Sequence, residues 1–187
     1  MHPIGTQAHE WFMLHGSCYG YQRANTKALD KWTSIYRGDL GIALTDTYTS
    51  KVFFRDFNPI TARIYDGVRH DSGSPYEFAR DVVSHYQKLR IDPTTKTIVF
   101  SDGLDHERIV VIKQFCDELG IRSSFGIGTN LTNDVGVAPL NIVIKMTACK
   151  LEDDEWRPTI KLSDDKGKHT GSSDEINKAK KTLGIDQ

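Results

Sequence analysis

At 187 residues the chain is long enough to bury a hydrophobic core without disulfides or a structural metal. Its 24 Lys and Arg are matched by 25 Asp and Glu, with both signs scattered along the sequence, so no basic field exists to draw in nucleic acid or an anionic membrane. Cys18, Cys116 and Cys149 form neither a paired framework nor a metal-ligand spacing, and no apolar run approaches the ~20 residues of a membrane span or the pattern of a signal peptide. The expectation is a compact, soluble, cytoplasmic protein.

In chain order, helical periodicity covers 6–15, with Thr6 as N-cap, and then 21–36. The apolar runs 40–44 and, more weakly, 64–68 read as buried strands. A helix follows over 75–89, with Pro75 in its first turn and Phe78, Val82, Val83 and Tyr86 on one face. The run 97–100 predicts a strand, 105–119 a helix closed by Gly120, and 123–127 another strand. This alternation predicts an α/β fold of parallel strands joined by helical crossovers, in an open sheet or a barrel. From Leu140 the pattern changes. The runs 141–145 and 159–162 flank the acidic turn Glu152-Asp153-Asp154-Glu155 and read as a β-hairpin, with a polar helix over 173–183 behind it. No repeat, low-complexity tract or long linker interrupts the chain, so 1–187 reads as a single domain.

Each of the four expected parallel strands ends in a polar cluster: Thr45-Asp46, Arg69-His70-Asp71-Ser72-Gly73, Ser101-Asp102-Gly103 and Gly126-Ile127-Gly128-Thr129-Asn130. In parallel α/β folds the carboxyl ends of the strands face the ligand, which would bring these clusters to one rim. A single Asp after a strand is most often a helix N-cap; three at successive strand ends are better explained by a site. The glycines of Gly126-x-Gly128-Thr129 make ordinary turns elsewhere, but after an apolar strand they suit a phosphate cradle of unhindered backbone N–H groups, to which Arg69 adds a forked donor. Asp46, Asp71 and Asp102 could bind sugar hydroxyls, hold magnesium or stabilise cationic charge on a sugar ring. His9 falls in a first helical turn, where the macrodipole favours a negative group such as a phosphate carried on the ring. Its competing role is packing against Trp11, Phe12 or Met13. Together these groups describe a site for a phosphorylated sugar.

Gly5-Thr6-Gln7-Ala8-His9-Glu10-Trp11, Gly41-Ile42-Ala43-Leu44-Thr45-Asp46, Arg69-His70-Asp71-Ser72-Gly73 and Ser124-Phe125-Gly126-Ile127-Gly128-Thr129 resemble, in that order, the signatures of nicotinate phosphoribosyltransferases. Pro139-Leu140-Asn141-Ile142-Val143-Ile144-Lys145 and Lys161-Leu162-Ser163-Asp164 continue the resemblance, which runs from about Pro3 to Lys168. It implies part of an irregular TIM-like α/β barrel of the type II phosphoribosyltransferase kind. The implied reaction joins nicotinate to phosphoribosyl pyrophosphate, giving nicotinate mononucleotide and pyrophosphate, and is driven by ATP through a phosphohistidine in the salvage route to NAD. By resemblance His9 is the phosphorylated residue and Asp46, Asp71 and Asp102 are catalytic. Arg69, Ser72, Gly73, Gly103, Gly126, Gly128 and Thr129 would bind substrate, and Asp46 or Asp71 would hold Mg2+. Ser74 departs from the pattern, because the family commonly has an acidic residue there, which would weaken a magnesium or hydrogen-bond contact. The family also has a long N-terminal region, including residues that grip nicotinate, ahead of the part matched here. This chain is therefore expected to be the C-terminal part of a longer enzyme, inactive alone and completed by an N-terminal half or a homodimer. The rival readings are a nicotinamide-specific relative and a non-catalytic fragment or subunit.

Overall fold

Four short strands carry the polar clusters, and they pair in parallel in sequence order. β1 (Ile42–Leu44), β2 (Gly67–His70), β3 (Thr97–Phe100) and β4 (Arg122–Phe125) form one sheet, β1-β2-β3-β4. The computed structural model describes residues 4–133, 135–140, 142–152 and 155–185. Among them no helix is long and apolar enough to cross a membrane. An isolated parallel bridge from Thr6 to Ile42 lengthens the sheet beside β1. The β2–β3 contact requires glycine at one point, since a Cβ on Gly67 would lie 1.8 Å from the Thr97 carbonyl oxygen.

Helices α1 (His9–Tyr19) and α2 (Ala24–Tyr36) precede the sheet, separated by a 3-10 turn at Tyr21–Arg23. Between β1 and β2 lie α3 (Ser50–Asp56) and α4 (Pro59–Ile64), which the periodicity did not reveal. Their starts are nevertheless set by local chemistry: Thr49 accepts from the Val52 N–H, while Asn58 accepts from the N–H groups of Ile60 and Thr61 ahead of Pro59. Because α4 runs to Ile64, the second strand lies at Gly67–His70 rather than at 64–68. Crossovers α5 (Pro75–Lys88) and α6 (His106–Leu119) fall where the sequence places them. Ser74 and Asp105 cap them, and Gly120, with φ +71, closes α6. The face of α5 made by Phe78, Ala79, Val82, Val83 and Tyr86 is buried. It joins a largely aromatic core with Phe53, Phe57, Tyr65, Ile98 and Phe100, where each such side chain stabilises the fold by about 1.5–3 kcal/mol.

Two expectations are corrected here. Thr6 is not the N-cap of the first helix; its backbone is occupied by the bridge to Ile42, α1 begins at His9, and Ala8 stands at the cap without a side-chain hydrogen bond. The antiparallel pair in the last third consists of β5 (Ala148–Lys150) and β6 (Trp156–Pro158), not of 141–145 with 159–162. Residues 142–147 are irregular, and Asn141, Asp153 and Asp154 lie outside the described residues. The alternative pairing fails because 159–162 has other partners: Thr159 N–H donates to Thr147 O, and Leu162 N–H donates to Thr47 O beyond β1. A one-turn helix α7 (Thr129–Thr132) follows the glycine loop, and the polar helix α8 (Ser173–Leu183) ends the described chain between Ser172 and Gly184.

Candidate active site

The first residue of α1 meets the residues that follow β1 and β2. His9 Nε2 lies 2.8 Å from Asp46 Oδ1 and 3.4 Å from Asp71 Oδ2. With two carboxylates at one nitrogen, Nε2 carries a proton and donates it, and in the neutral ring the lone pair is on Nδ1. Asp46 is fully buried, and its second oxygen accepts from Ser72 Oγ at 2.7 Å and pairs with Lys161 Nζ at 3.0 Å. Burial alone would raise the pKa of Asp46. The hydrogen bond and charge of His9, the charge of Lys161 and the Ser72 hydroxyl outweigh it and hold the carboxyl well below the usual carboxylate range.

Asp71 is held from β2 and β3. Arg69 Nη2 donates to Asp71 Oδ1 at 2.6 Å, Ser101 Oγ donates to the same oxygen at 2.6 Å, and Arg69 Nε donates to Ser101 Oγ at 2.8 Å. His9, Asp46, Arg69, Asp71 and Ser72 thus form one cluster, joined by hydrogen bonds and by the His9–Asp71 contact. His9, Asp46 and Asp71 each offer a ligand atom within 4.8 Å of the others. Hard carboxylate oxygens suit Mg2+. Asp46 has Oδ1 engaged by His9 and Oδ2 by Ser72 and Lys161, whereas Asp71, which lines the cleft, has at Oδ2 the longer 3.4 Å contact with His9, so the donor set fits an ion held by Asp71 better than one held by Asp46.

The remaining expected residues follow β3 and β4. The register aligns His70 with Phe100 and Phe100 with Phe125, so the turns after these strands leave the sheet at one level. Asp102 is half-exposed and Gly103, with φ +55, accepts from Arg108 through its carbonyl. Gly126 N–H continues the strand pairing to Phe100 O. Gly128 and Thr129 are exposed at the start of α7, and a Cβ on Gly128 would meet nothing within 4 Å. None of these five groups bonds to the His9 cluster. Gly73, with φ +82, donates its N–H to Asp165 Oδ1 at 3.2 Å. Ser74 accepts from the Glu77 N–H, so at the position of the departure from the family pattern this chain has a helix cap.

Sequence reasoning missed the opposite wall. Lys145, Lys161 and Lys168 line a cleft of about 300 Å3 together with Asp71 and Ser72. Lysines set inside the apolar runs Ile142-Val143-Ile144-Lys145 and Thr159-Ile160-Lys161-Leu162 were the available signal, since a buried cation demands a partner. A larger cavity, about 610 Å3, opens at the other ends of the strands beside Gly5, Leu40, Gly41 and Arg122. It holds none of the polar clusters, whereas Asp71 and Ser72 line the smaller cleft.

The fold and cluster together have the form of a parallel α/β sheet whose charged and polar side chains gather at the carboxyl ends of the strands. The model of the nicotinate phosphoribosyltransferase (NAPRTase) family matches residues 1–187, and the chain belongs to that family. It is 56% identical over 183 residues to a nicotinate phosphoribosyltransferase of Chromohalobacter salexigens, covering 98% of this chain and 47% of the relative. It is 57% identical over 175 residues to one of Desulforapulum autotrophicum, covering 93% and 45%. The crystal structure of nicotinate phosphoribosyltransferase from Porphyromonas gingivalis superposes with a TM-score of 0.93 at 50% identity, over 97% of this chain and 47% of that one. The chain spans about half the length of the curated relatives it matches.

Proposed function

We propose that this chain supplies the phosphoribosyl-transfer site of a nicotinate phosphoribosyltransferase: nicotinate and phosphoribosyl pyrophosphate give nicotinate mononucleotide and pyrophosphate, coupled to ATP hydrolysis through phosphorylated His9. The observation that carries this reading is the His9 imidazole at the first position of α1 with Nε2 held by Asp46 and Asp71. In the coupling step the Nδ1 lone pair attacks the γ-phosphorus of ATP; the P–N bond forms, the bond to the bridging oxygen breaks, and ADP leaves. The N-terminal end of α1 favours the negative charge gained. The phosphohistidine is later hydrolysed by water, returning phosphate and free His9.

In the transfer step the bond from the anomeric carbon to pyrophosphate breaks with oxocarbenium-like charge on the ribose. Asp71 and Asp102 face that charge and stabilise it, and the nicotinate ring nitrogen, already nucleophilic, needs only to be positioned. Lys145, Lys161 and Lys168 offset the charge of the departing pyrophosphate, Arg69 holds Asp71 in place, and the loop of Gly126, Gly128 and Thr129 receives the ribose phosphate. Mg2+, when bound at Asp71, supplies charge neutralisation to the phosphate oxygens. The four-stranded sheet forms part of a TIM-like barrel completed by further strands, from an N-terminal half or a second copy, and the whole works in the cytoplasm.

Labelling with γ-32P ATP tests the reading, using the chain together with an N-terminal half and comparing wild type with His9→Ala. Acid-labile, base-stable label and nicotinate mononucleotide formation in the wild type, with the label lost in His9→Ala, support it. Equal labelling of both proteins overturns the role of His9.

A further inference from the structure

Asp46 is gripped at one oxygen by both ends of a single tetrapeptide. Lys161 Nζ reaches Oδ2 directly at 3.0 Å. Asp164, three residues on, donates its backbone N–H to Ser72 Oγ at 3.1 Å, and the Ser72 hydroxyl donates to the same Oδ2 at 2.7 Å. The Asp164 side chain takes no part in that relay. Its carboxylate turns the other way and accepts from Ser50 at the first residue of α3, Oδ1 from the backbone N–H at 2.7 Å and Oδ2 from the hydroxyl at 2.6 Å. Ser50 Oγ in turn lies 3.1 Å from Thr45 Oγ1, which donates to the Arg69 carbonyl.

The backbone that aims the Asp164 N–H is held in an unfavourable conformation. Ser163 has φ +64 and is buried, and left-handed backbone at a non-glycine residue persists only where its surroundings over-determine it. The two Asp164–Ser50 bonds are such a determinant, beside the Leu162 N–H bond to Thr47 O, the paired backbone bonds between Lys161 and Thr170, and the Gly73 N–H bond to Asp165 Oδ1.

We infer that Asp164 is a positioning residue: by fastening the 161–164 segment to α3 it sets Ser72 and Lys161 on Asp46, and so fixes the single Nε2–H orientation of His9. Its importance for turnover rests on the role proposed for His9, but the geometry it controls is measurable without turnover. Removing the carboxylate leaves the backbone N–H in place and releases its aim. Asn keeps an oxygen for the Ser50 N–H and offers a donor to the Ser50 hydroxyl, which then directs its proton to Thr45, so the fastening survives.

The test is long-range 1H–15N correlation of the His9 ring in the 15N-labelled chain, comparing wild type, Asp164→Ala, Asp164→Asn and Ser72→Ala, with His85 as an internal reference packed against Phe57. The expected wild-type and Asp164→Asn spectra show one Nε2–H tautomer. In Asp164→Ala and Ser72→Ala the two His9 nitrogen shifts should converge while His85 stays fixed. An unchanged His9 pattern in Asp164→Ala overturns the inference, as does loss of the pattern in Asp164→Asn or an equal disturbance of His85, which would show general loosening. Phosphate labelling of the wild type runs alongside: absence of label there strikes at the proposed function, whereas the spectra decide the positioning role.

Discussion

Lys161→Met removes the only lysine within ion-pair distance of the Asp46 carboxylate among the described residues, while keeping most of the side chain's length. Lys161 and Asp46 are 11% and 0% exposed and sit 3.0 Å apart, so the surface-pair value of ~0.2–1 kcal/mol does not apply. Breaking a buried pair costs ~3–5 kcal/mol because the remaining charge is left uncompensated. Asp46 retains the His9 and Ser72 bonds, which puts the expected cost near the lower end, about 3 kcal/mol. For a chain of this size that lowers Tm by about 6–12 °C, at ~2–4 °C per kcal/mol. Urea unfolding followed by far-UV circular dichroism measures it. The decisive comparison is the same substitution in an Asp46→Asn background, where no buried negative charge remains and the cost should fall below about 1 kcal/mol. Equal costs in the two backgrounds would falsify the assignment of Lys161 as the counter-charge and reduce it to a packing residue.

Gly67→Ala should abolish folding, because the new Cβ would lie 1.8 Å from Thr97 O and neither backbone can retreat without breaking the β2–β3 pairing; Gly128→Ala, which meets nothing within 4 Å, serves as the control, and a normally folded Gly67→Ala refutes the packing argument. Acidification should lower stability, beginning near neutrality. Burial, the largest influence on each, lowers the pKa of His15, His70 and His85, so the unfolded chain takes up protons first, at its ordinary value of about 6.5. The stability these neutral rings contribute is complete above that pH and is lost as pH falls through their folded values. Thermal unfolding at a series of pH values between about 7.5 and 5 checks the sign, and a Tm that rose on acidification would contradict it.

Legibility followed the physics of each segment. α5 and α6 could be read because an apolar face, a capping residue and a terminal glycine or proline coincide in each, and β3 because an apolar run sits between them. α3 and α4 could not: at seven and six residues they are too short for periodicity to rise above noise, and they depend on tertiary burial of Phe53, Phe57 and Ala62. The clusters after the strands were legible as a rim because parallel strands all deliver their carboxyl ends to one side. The cationic wall was not, since nothing in Thr159-Ile160-Lys161-Leu162 says which way the lysine points until Leu162 is tied to Thr47. His9 was placed in a first turn correctly but for a wrong reason, with Thr6 as the cap instead of a sheet bridge.

The same failure at 141–145 exposes a property of the folded chain. Ile142, Val143 and Ile144 were read as part of a strand because they form an apolar run set off from 159–162 by an acidic turn. In the folded chain they are 73%, 68% and 86% exposed, and Val137, Leu140 and Trp156 are exposed as well. Each apolar side chain of this size gains about 1.5–3 kcal/mol on burial, and monomeric proteins rarely leave such a run uncovered. β4 adds a free edge, since among the described residues it pairs only with β3, and open edges recruit other strands. The chain by itself should therefore associate. Light scattering coupled to size-exclusion chromatography across a concentration series should show mass rising with concentration, and Ile142→Glu with Ile144→Glu should return it to a monomer without lowering Tm, because those side chains bury little within the chain. A wild-type chain that elutes as a monodisperse monomer at every concentration would show that the apolar run is tolerated in water, and that its sequence pattern does not mark a contact surface.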